Sequence, residues 1–224
     1  TPMALPIVDM ATGNNLVQGV LAALVRRGVS GEGALVEVDL MSSSIDLLIE
    51  PFTAWLNDDG ALPRRSAVAN ANVYGAAPYG IFETLDGHLA LAMTPLATLA
   101  ALLDMPALDD FDQSTAFTRR DEIKALIAAQ LKTRPTGSWL AALEPKGVWC
   151  ADVFDWNALV QSAGYQALSA TQSVSTEAGE MAVTTRCPIL INKQRLTSPR
   201  AAPRLGAQTD MLLPETPKPT GRAV

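Results

Sequence analysis

The sequence predicts an α/β protein: a helix, a strand and a second helix on short links, then a turn-rich linker, then a small α+β unit. Three observations carry that expectation. Apolar residues recur at helical spacing near the start, a β-branched alternating run follows, and an Asp-Gly turn between two apolar runs marks a hairpin beyond the linker.

The first helix is read from Leu16, Val20, Ala23 and Leu24, with Arg26 and Arg27 in its last turn and Gly28 placed to stop it. Its start falls near Asp9 to Thr12, where Asp and Thr are both good caps and the helix dipole favours an acidic group. After the turn at residues 29–33, residues 34–40 alternate around Val36 and Val38 and predict a strand. Ser42 then caps a second helix that runs to about Trp55 and ends at Asn57-Asp-Asp-Gly60. Residues 62–78 have no period and are rich in turn formers, so a linker is placed there. Runs at 79–84 and 88–93 flank Leu85-Asp86-Gly87 and predict a hairpin. Helices are expected at 95–103, 119–132 and 136–143, a strand near 148–153 and a weaker one near 181–185. The tail from Ser198 holds five prolines and reads as irregular, and no internal repeat is present.

The 224 residues are 48% hydrophobic and 18% charged, enough for a packed core. A net charge of -6, with 17 basic residues scattered in pairs at most, argues against a nucleic-acid backbone or an anionic membrane as partner. No run approaches the roughly 18 apolar residues of a membrane span, and the start lacks the order of a signal peptide, so a soluble, cytoplasmic protein is expected. Cys150 and Cys187 lie far apart in no metal-like spacing, and the one histidine, His88, leaves no His-rich zinc site, so no metal is expected. That single histidine also removes Ser-His and Cys-His mechanisms unless a lysine or a partner chain supplies the base. The chain opens on Thr1-Pro2 without Met and reaches dense structure within a few residues, so it reads as processed or as one piece of something longer.

Asp9 ends the apolar run Ala4-Leu-Pro-Ile-Val8 and directly precedes Met10-Ala-Thr-Gly13. Local pattern leaves two readings open: a plain helix cap, or a carboxylate nucleophile with room around it at Ala11 and Gly13. Gly31 and Gly33 fail as a phosphate loop, because such loops follow a strand and open a helix, whereas these follow a helix and open a strand. His88 and Cys150 read as surface or packing residues, and the group Asp104, Asp109, Asp110 and Asp112 lacks calcium-loop spacing and reads as a solvated loop.

Three segments, residues 7–40 with Ile7-Val-Asp-Met-Ala-Thr-Gly13, residues 78–92 and residues 203–210, in that order resemble family III CoA-transferases, the group of formyl-CoA and carnitine CoA-transferases. Ile7-Val-Asp-Met-Ala-Thr-Gly13, followed by Gly19-Val-Leu-Ala-Ala-Leu24 and by Ser30-Gly-Glu-Gly33 ahead of Val36-Glu-Val-Asp-Leu40, resembles the family's central stretch. Pro78-Tyr-Gly-Ile-Phe-Glu-Thr-Leu-Asp-Gly87 with His88-Leu-Ala-Leu-Ala92 resembles its second-domain opening, and Pro203-Arg-Leu-Gly-Ala-Gln-Thr-Asp210 its C-terminal signature. The resemblance implies a Rossmann-like large domain made from both chain ends (residues 1–62 and 186–224), a linker at 63–78, a small α+β domain at 79–185, and two interlocked subunits. It implies Asp9 as the acyl-accepting nucleophile, coenzyme A as thioester substrate and a carboxylic acid as acceptor. Ala11, Thr12 and Gly13, with amides as oxyanion donors, are the expected substrate-binding residues, and Tyr79 and Met93 near the domain junction read either as pocket wall or as core packing.

The departures from the family pattern carry their own expectations. Family members have an N-terminal half before this aspartate that supplies most contacts to the CoA nucleotide, so a homo- or hetero-oligomer with a chain carrying that half is expected. The glycine-rich loop of formyl-CoA transferase is represented only by Gly75-Ala-Ala-Pro78. α-Methylacyl-CoA racemase is the second enzyme reading; its histidine partner would lie in the missing half, His88 is in the wrong segment, and its acidic residue falls on Thr94. A non-catalytic structural subunit is the third.

Overall fold

The structure is a computed structural model that describes residues 4–213 apart from 69, 71, 177 and 178; Thr1-Pro2 and the tail prolines beyond 213 lie outside the described residues. The chain divides into two compact units, Thr1–Val153 and Phe154–Val224.

The first unit opens with helix α1 (Ile7–Ser30), longer at both ends than its apolar spacing predicts. Neither Asp9 nor Thr12 caps it. Pro6 stands at the cap position with φ -76 and no side-chain bond, and a proline suits a helix edge because it has no N–H to leave unpaired. Asp9 therefore sits inside the first turn. Gly28 does not stop the helix, since glycine costs only about 1 kcal/mol within one; the stop is Gly31, left-handed at φ 74, whose N–H returns to the Arg27 carbonyl.

The strand expected at residues 34–40 does not form: residues 33–39 lie in no helix or ladder, and a strand exists only through a paired neighbour. The alternation survives as packing, with Val36 and Val38 half-buried and Leu35 and Glu37 exposed. Val36 lies so close to α1 that a Cβ at Gly19 would meet its Cγ1 at 2.7 Å.

The second predicted helix is two, α2 (Leu40–Leu47) and α3 (Ile49–Leu56). Asp39, not Ser42, is the cap: its carboxylate accepts from the Ser42 N–H at 2.8 Å and the Ser42 hydroxyl at 2.7 Å. The break at Leu48 has its cause in Pro51, which has no N–H to give the Leu47 carbonyl.

Beyond residues 57–79, β1 (Gly80–Glu83) and β2 (His88–Leu91) form the expected hairpin, antiparallel from Gly80↔Leu91 to Glu83↔His88. Helices α4 (Leu96–Leu103), α5 (Arg120–Leu131) and α6 (Thr136–Leu143) follow, and β3 (Cys150–Asp152) pairs antiparallel with β2 to give the order β1-β2-β3. The core lies between this sheet and the helices, with Phe82, Leu89, Leu99, Ile127 and Trp139 at 1% exposure or less. Its polar ends are satisfied: the Trp139 indole donates to the Leu131 carbonyl at 2.9 Å, and Gln130 donates to the last carbonyl of α4, Leu103, at 2.7 Å. The hairpin turn is stitched to α6 because Asp86 accepts from the Thr136 N–H at 2.8 Å while the Thr84 and Thr136 hydroxyls meet at 2.6 Å.

In the second unit, α7 (Trp156–Gln161) is capped by Asp155 and α8 (Ala163–Leu168) by Ser162. The strand expected at 181–185 is β5 (Met181–Thr185), paired antiparallel with β4 (Thr171–Ser175), which the sequence reading missed. A second two-stranded ladder, β6 (Leu190–Ile191) with β7 (Gln194–Arg195), precedes a short helix α9 (Thr209–Leu212) in the tail that composition marks as irregular.

Candidate active site

Four of the predicted site residues share one helix. Asp9 is exposed in the first turn of α1, Ala11 and Thr12 are half-buried, and Gly13 is exposed. Residues three and four apart on a helix lie on one face, so Thr12 and Gly13 form the surface directly beside the Asp9 carboxylate. That surface is open: a side chain at Gly13 would meet no atom within 4 Å. Thr12 turns its hydroxyl back to the Val8 carbonyl at 2.8 Å. The amides of Ala11, Thr12 and Gly13 belong to the helical ladder and are not free to meet an oxyanion; the unengaged ones are those of Ile7, Val8 and Asp9, because the ladder begins with the Met10 N–H on the Pro6 carbonyl at 3.1 Å.

Tyr79 and Met93 stand on the other part of this unit, the α+β core. Tyr79 lines a cavity of about 550 Å³ with Leu91, Glu144, Val148, Trp149 and Cys150, bounded by β2 and β3. Met93, just past β2, is 80% exposed and does not line it. The walls are apolar apart from the Glu144 carboxylate and the Cys150 thiol, which burial, reinforced by Glu144, pushes up and so keeps protonated. Backbone approaches Tyr79 closely at Gly75, where a Cβ would lie 2.7 Å from the ring Cδ1 and 3.1 Å from the Asn72 carbonyl. Gly75-Ala-Ala-Pro78 thus acts as a tight seat for the ring that follows it.

Sequence reasoning missed Trp149 and Glu144. Their partnership with Tyr79 depends on β3 pairing with β2 across about sixty residues, Leu89↔Asp152 to Leu91↔Cys150, and no local pattern announces it. It also missed a charged cluster on α5, for which a signal existed: Arg120 and Lys124 fall in the stripe completed by Ile127 and Leu131, where apolar residues are due.

The remaining candidates resolve structurally. His88 is exposed opposite Glu83, which pairs with Lys132 at 2.6 Å. Asp112 accepts from the Ser114 N–H at 2.8 Å and Asp104 closes α4 in the left-handed region. Among the described residues no group of three His, Cys, Asp or Glu is placed to hold a metal ion, and no helix is long and apolar enough to cross a membrane.

The family model for CoA-transferase family III matches residues 1–209, so that the Asp9 turn, the α+β core and most of the second unit fall within one alignment. The chain belongs to CoA-transferase family III. Among curated proteins, it is 29% identical over 149 residues to an acyl-CoA transferase of Fusarium pseudograminearum, covering 63% of this chain and 32% of that protein. It is 26% identical over 150 residues to the mouse succinyl-CoA:glutarate CoA-transferase (63% and 33% covered) and 24% identical over 216 residues to the succinate–glutarate CoA-transferase of Agrobacterium fabrum (93% and 53%). The fold agrees: a mutant of the Mycobacterium tuberculosis protein Rv3272 superposes with TM-score 0.76 at 20% identity over 96% of this chain and 57% of that one. A CAIB/BAIF family protein of Brucella suis gives 0.71 at 20% identity, covering 95% and 56%. The chain thus spans between about a third and somewhat over half of the length of the relatives it matches.

Proposed function

We propose that this chain is the aspartate-bearing part of an acyl-CoA:carboxylate CoA-transferase and that Asp9 is its nucleophile. One observation carries the reading. Asp9 stands exposed in the first turn of α1 with open surface one turn on at Gly13, in a chain that the family model matches over residues 1–209.

The chemistry follows from a free carboxylate. One Asp9 oxygen attacks the thioester carbonyl of the donor acyl-CoA; the C–S bond breaks, the CoA thiolate leaves, and an aspartyl acyl anhydride remains. The thiolate then attacks the Asp9 carbonyl, forming an aspartyl-CoA thioester and releasing the donor carboxylate. The acceptor carboxylate attacks that thioester, expelling the thiolate and forming a second anhydride, and return of the thiolate to the acceptor carbonyl yields the new acyl-CoA and frees Asp9. The first-turn amides of Ile7, Val8 and Asp9 are the donors nearest to charge developing there, and Thr12 and Gly13 form the floor on which the thioester rests. Tyr79 is assigned to the wall of the acyl pocket through its cavity, and Met93 to a surface that the substrate or another chain covers.

In this reading residues 1–62 and 186–224 belong to a Rossmann-like large domain, 63–78 link it to the small domain of residues 79–185, and two cytoplasmic subunits interlock. The remainder of the large domain comes from an N-terminal half or a partner chain. What supports this is the apolar arm: Val17, Leu21, Ile45, Ile49 and Phe52 are all exposed on α1, α2 and α3, and α1 buries no residue at all.

Asp9→Asn in the assembled enzyme tests the assignment. The amide keeps the shape but cannot form the anhydride, so turnover should fall by orders of magnitude while the exposed site leaves stability within about 0.5 kcal/mol. Near-normal turnover would contradict it.

A further inference from the structure

The least expected side chain in the molecule is Lys124, wholly buried on α5 among core residues. Its ammonium donates to the Ser66 hydroxyl at 3.1 Å, and Ser66 in turn donates to Asp121 at 2.9 Å. Asp121 also accepts the Ala67 N–H at 2.9 Å, and the Arg120 guanidinium reaches two carbonyls, Val73 at 2.6 Å and Arg64. One guanidinium thus holds both Arg64 and Val73, while Asp121 and Lys124 hold Ser66 and Ala67; these four residues are the points at which a strap is fastened to α5. The far side of the strap is tied to α3, where Asn72 donates to Glu50 at 2.7 Å. Two residues beyond Val73 lies Gly75, against the ring of Tyr79.

We infer that Lys124 is a pH-sensitive latch: the strap closes on α5 when the amine is neutral and loosens when it is charged. Closing the strap buries the amine beside a second cation, Arg120, and only Asp121 opposes them. The strap presents the neutral Ser66 to it, while Arg64 acts on Asp121. Of the other elements packed on α5, β1 brings Glu83, which is paired with Lys132, and the loop before α5 brings Asp110, which acts on Arg119. No further acid offsets the ammonium among these groups, so burial first and Arg120 second bring Lys124 down to about 8 from 10.5.

The sign follows from linkage. An open strap exposes the amine and restores its ordinary affinity for a proton, so opening takes up a proton between those two values and is progressively disfavoured as pH rises through that window. Below it both forms are charged and pH has no effect. Val73, one fastening point of the strap, lies two residues before Gly75 in the seat of Tyr79, a seat also tied by the Ala77 N–H to the Ala116 carbonyl at 2.8 Å, so the latch acts next to the wall of the cavity, whatever the reaction carried out there.

Limited trypsin digestion after Arg64 and Arg65 reads strap opening, because cleavage needs the local chain released from α5. With rates at pH 7.5 and 9.5 normalised to Lys124→Met at the same pH, cleavage of the wild-type protein should slow about twentyfold. Equal ratios at both pH values would overturn the latch. Should Lys124→Met fail to fold, titration of the lysine side chain by NMR decides: a midpoint near 8 is expected, and one at the ordinary 10.5 overturns it.

Discussion

At the scale of single residues, the geometry around Tyr79 is set by the absence of a side chain. Gly75 needs no left-handed conformation, yet an alanine methyl there would meet the Tyr79 ring at 2.7 Å and a backbone oxygen at 3.1 Å. The ring can swing but the carbonyl cannot, so Gly75→Ala should cost about 1–3 kcal/mol, as overpacking does. Urea unfolding would show it as a lower midpoint with an unchanged slope; an unchanged midpoint would mean that the seat yields freely. Asp9 is the opposite case, a residue with space around it, and its substitution is expected to change chemistry while leaving the fold intact.

Among the elements, the junction of hairpin and α6 depends on pH through Asp86. Hydrogen bonds hold the Asp86 carboxyl below its ordinary range, first that from the Thr136 N–H and then those from the Thr136 and Thr84 hydroxyls. A lowered value means that the carboxylate stabilises the fold above the ordinary 3.8 and that this contribution fades as pH falls below it. Asp86→Ala should therefore lower the thermal midpoint at pH 7, and its deficit should shrink towards pH 3; a deficit independent of pH would show that the cap acts through shape alone. This junction was legible as an Asp-Gly turn and a proline-led helix, and α6 begins and ends where its sequence places it. Elsewhere local signals competed. Asp39 outbid Ser42 as a cap because its carboxylate takes two donors, Pro51 broke a helix that apolar spacing alone would continue, and Gly28 was too weak a stop while Gly31 lay ahead. The alternation at 34–40 reads as a strand but forms none, because alternation sets which side chains face inward and does not supply the paired neighbour that a ladder needs.

For the molecule as a whole, the contrast between its parts is the main fact. The α+β core buries Phe82, Leu89, Leu99, Ile127 and Trp139 to 1% exposure or less, whereas α1 buries none and the arm it begins leaves Leu16, Val20, Leu24 and Phe52 exposed. The site is correspondingly divided in legibility. Asp9 as a candidate came from its motif near a helix start, which the structure places inside the first turn of α1, and Tyr79 from the segment it opens, but the cavity behind Tyr79 required the pairing of β3 with β2. The proposed catalysis lies on the arm, which the rest of the family fold is expected to cover. The most direct measurement is made on the native assembly, isolated with whatever chain accompanies this one. It is incubated with acyl-CoA thioesters and quenched with hydroxylamine, and the peptide carrying Asp9 is examined by mass spectrometry. A hydroxamate at Asp9, absent without thioester, is the predicted result. An unmodified Asp9 in an assembly that is turning over would contradict the account.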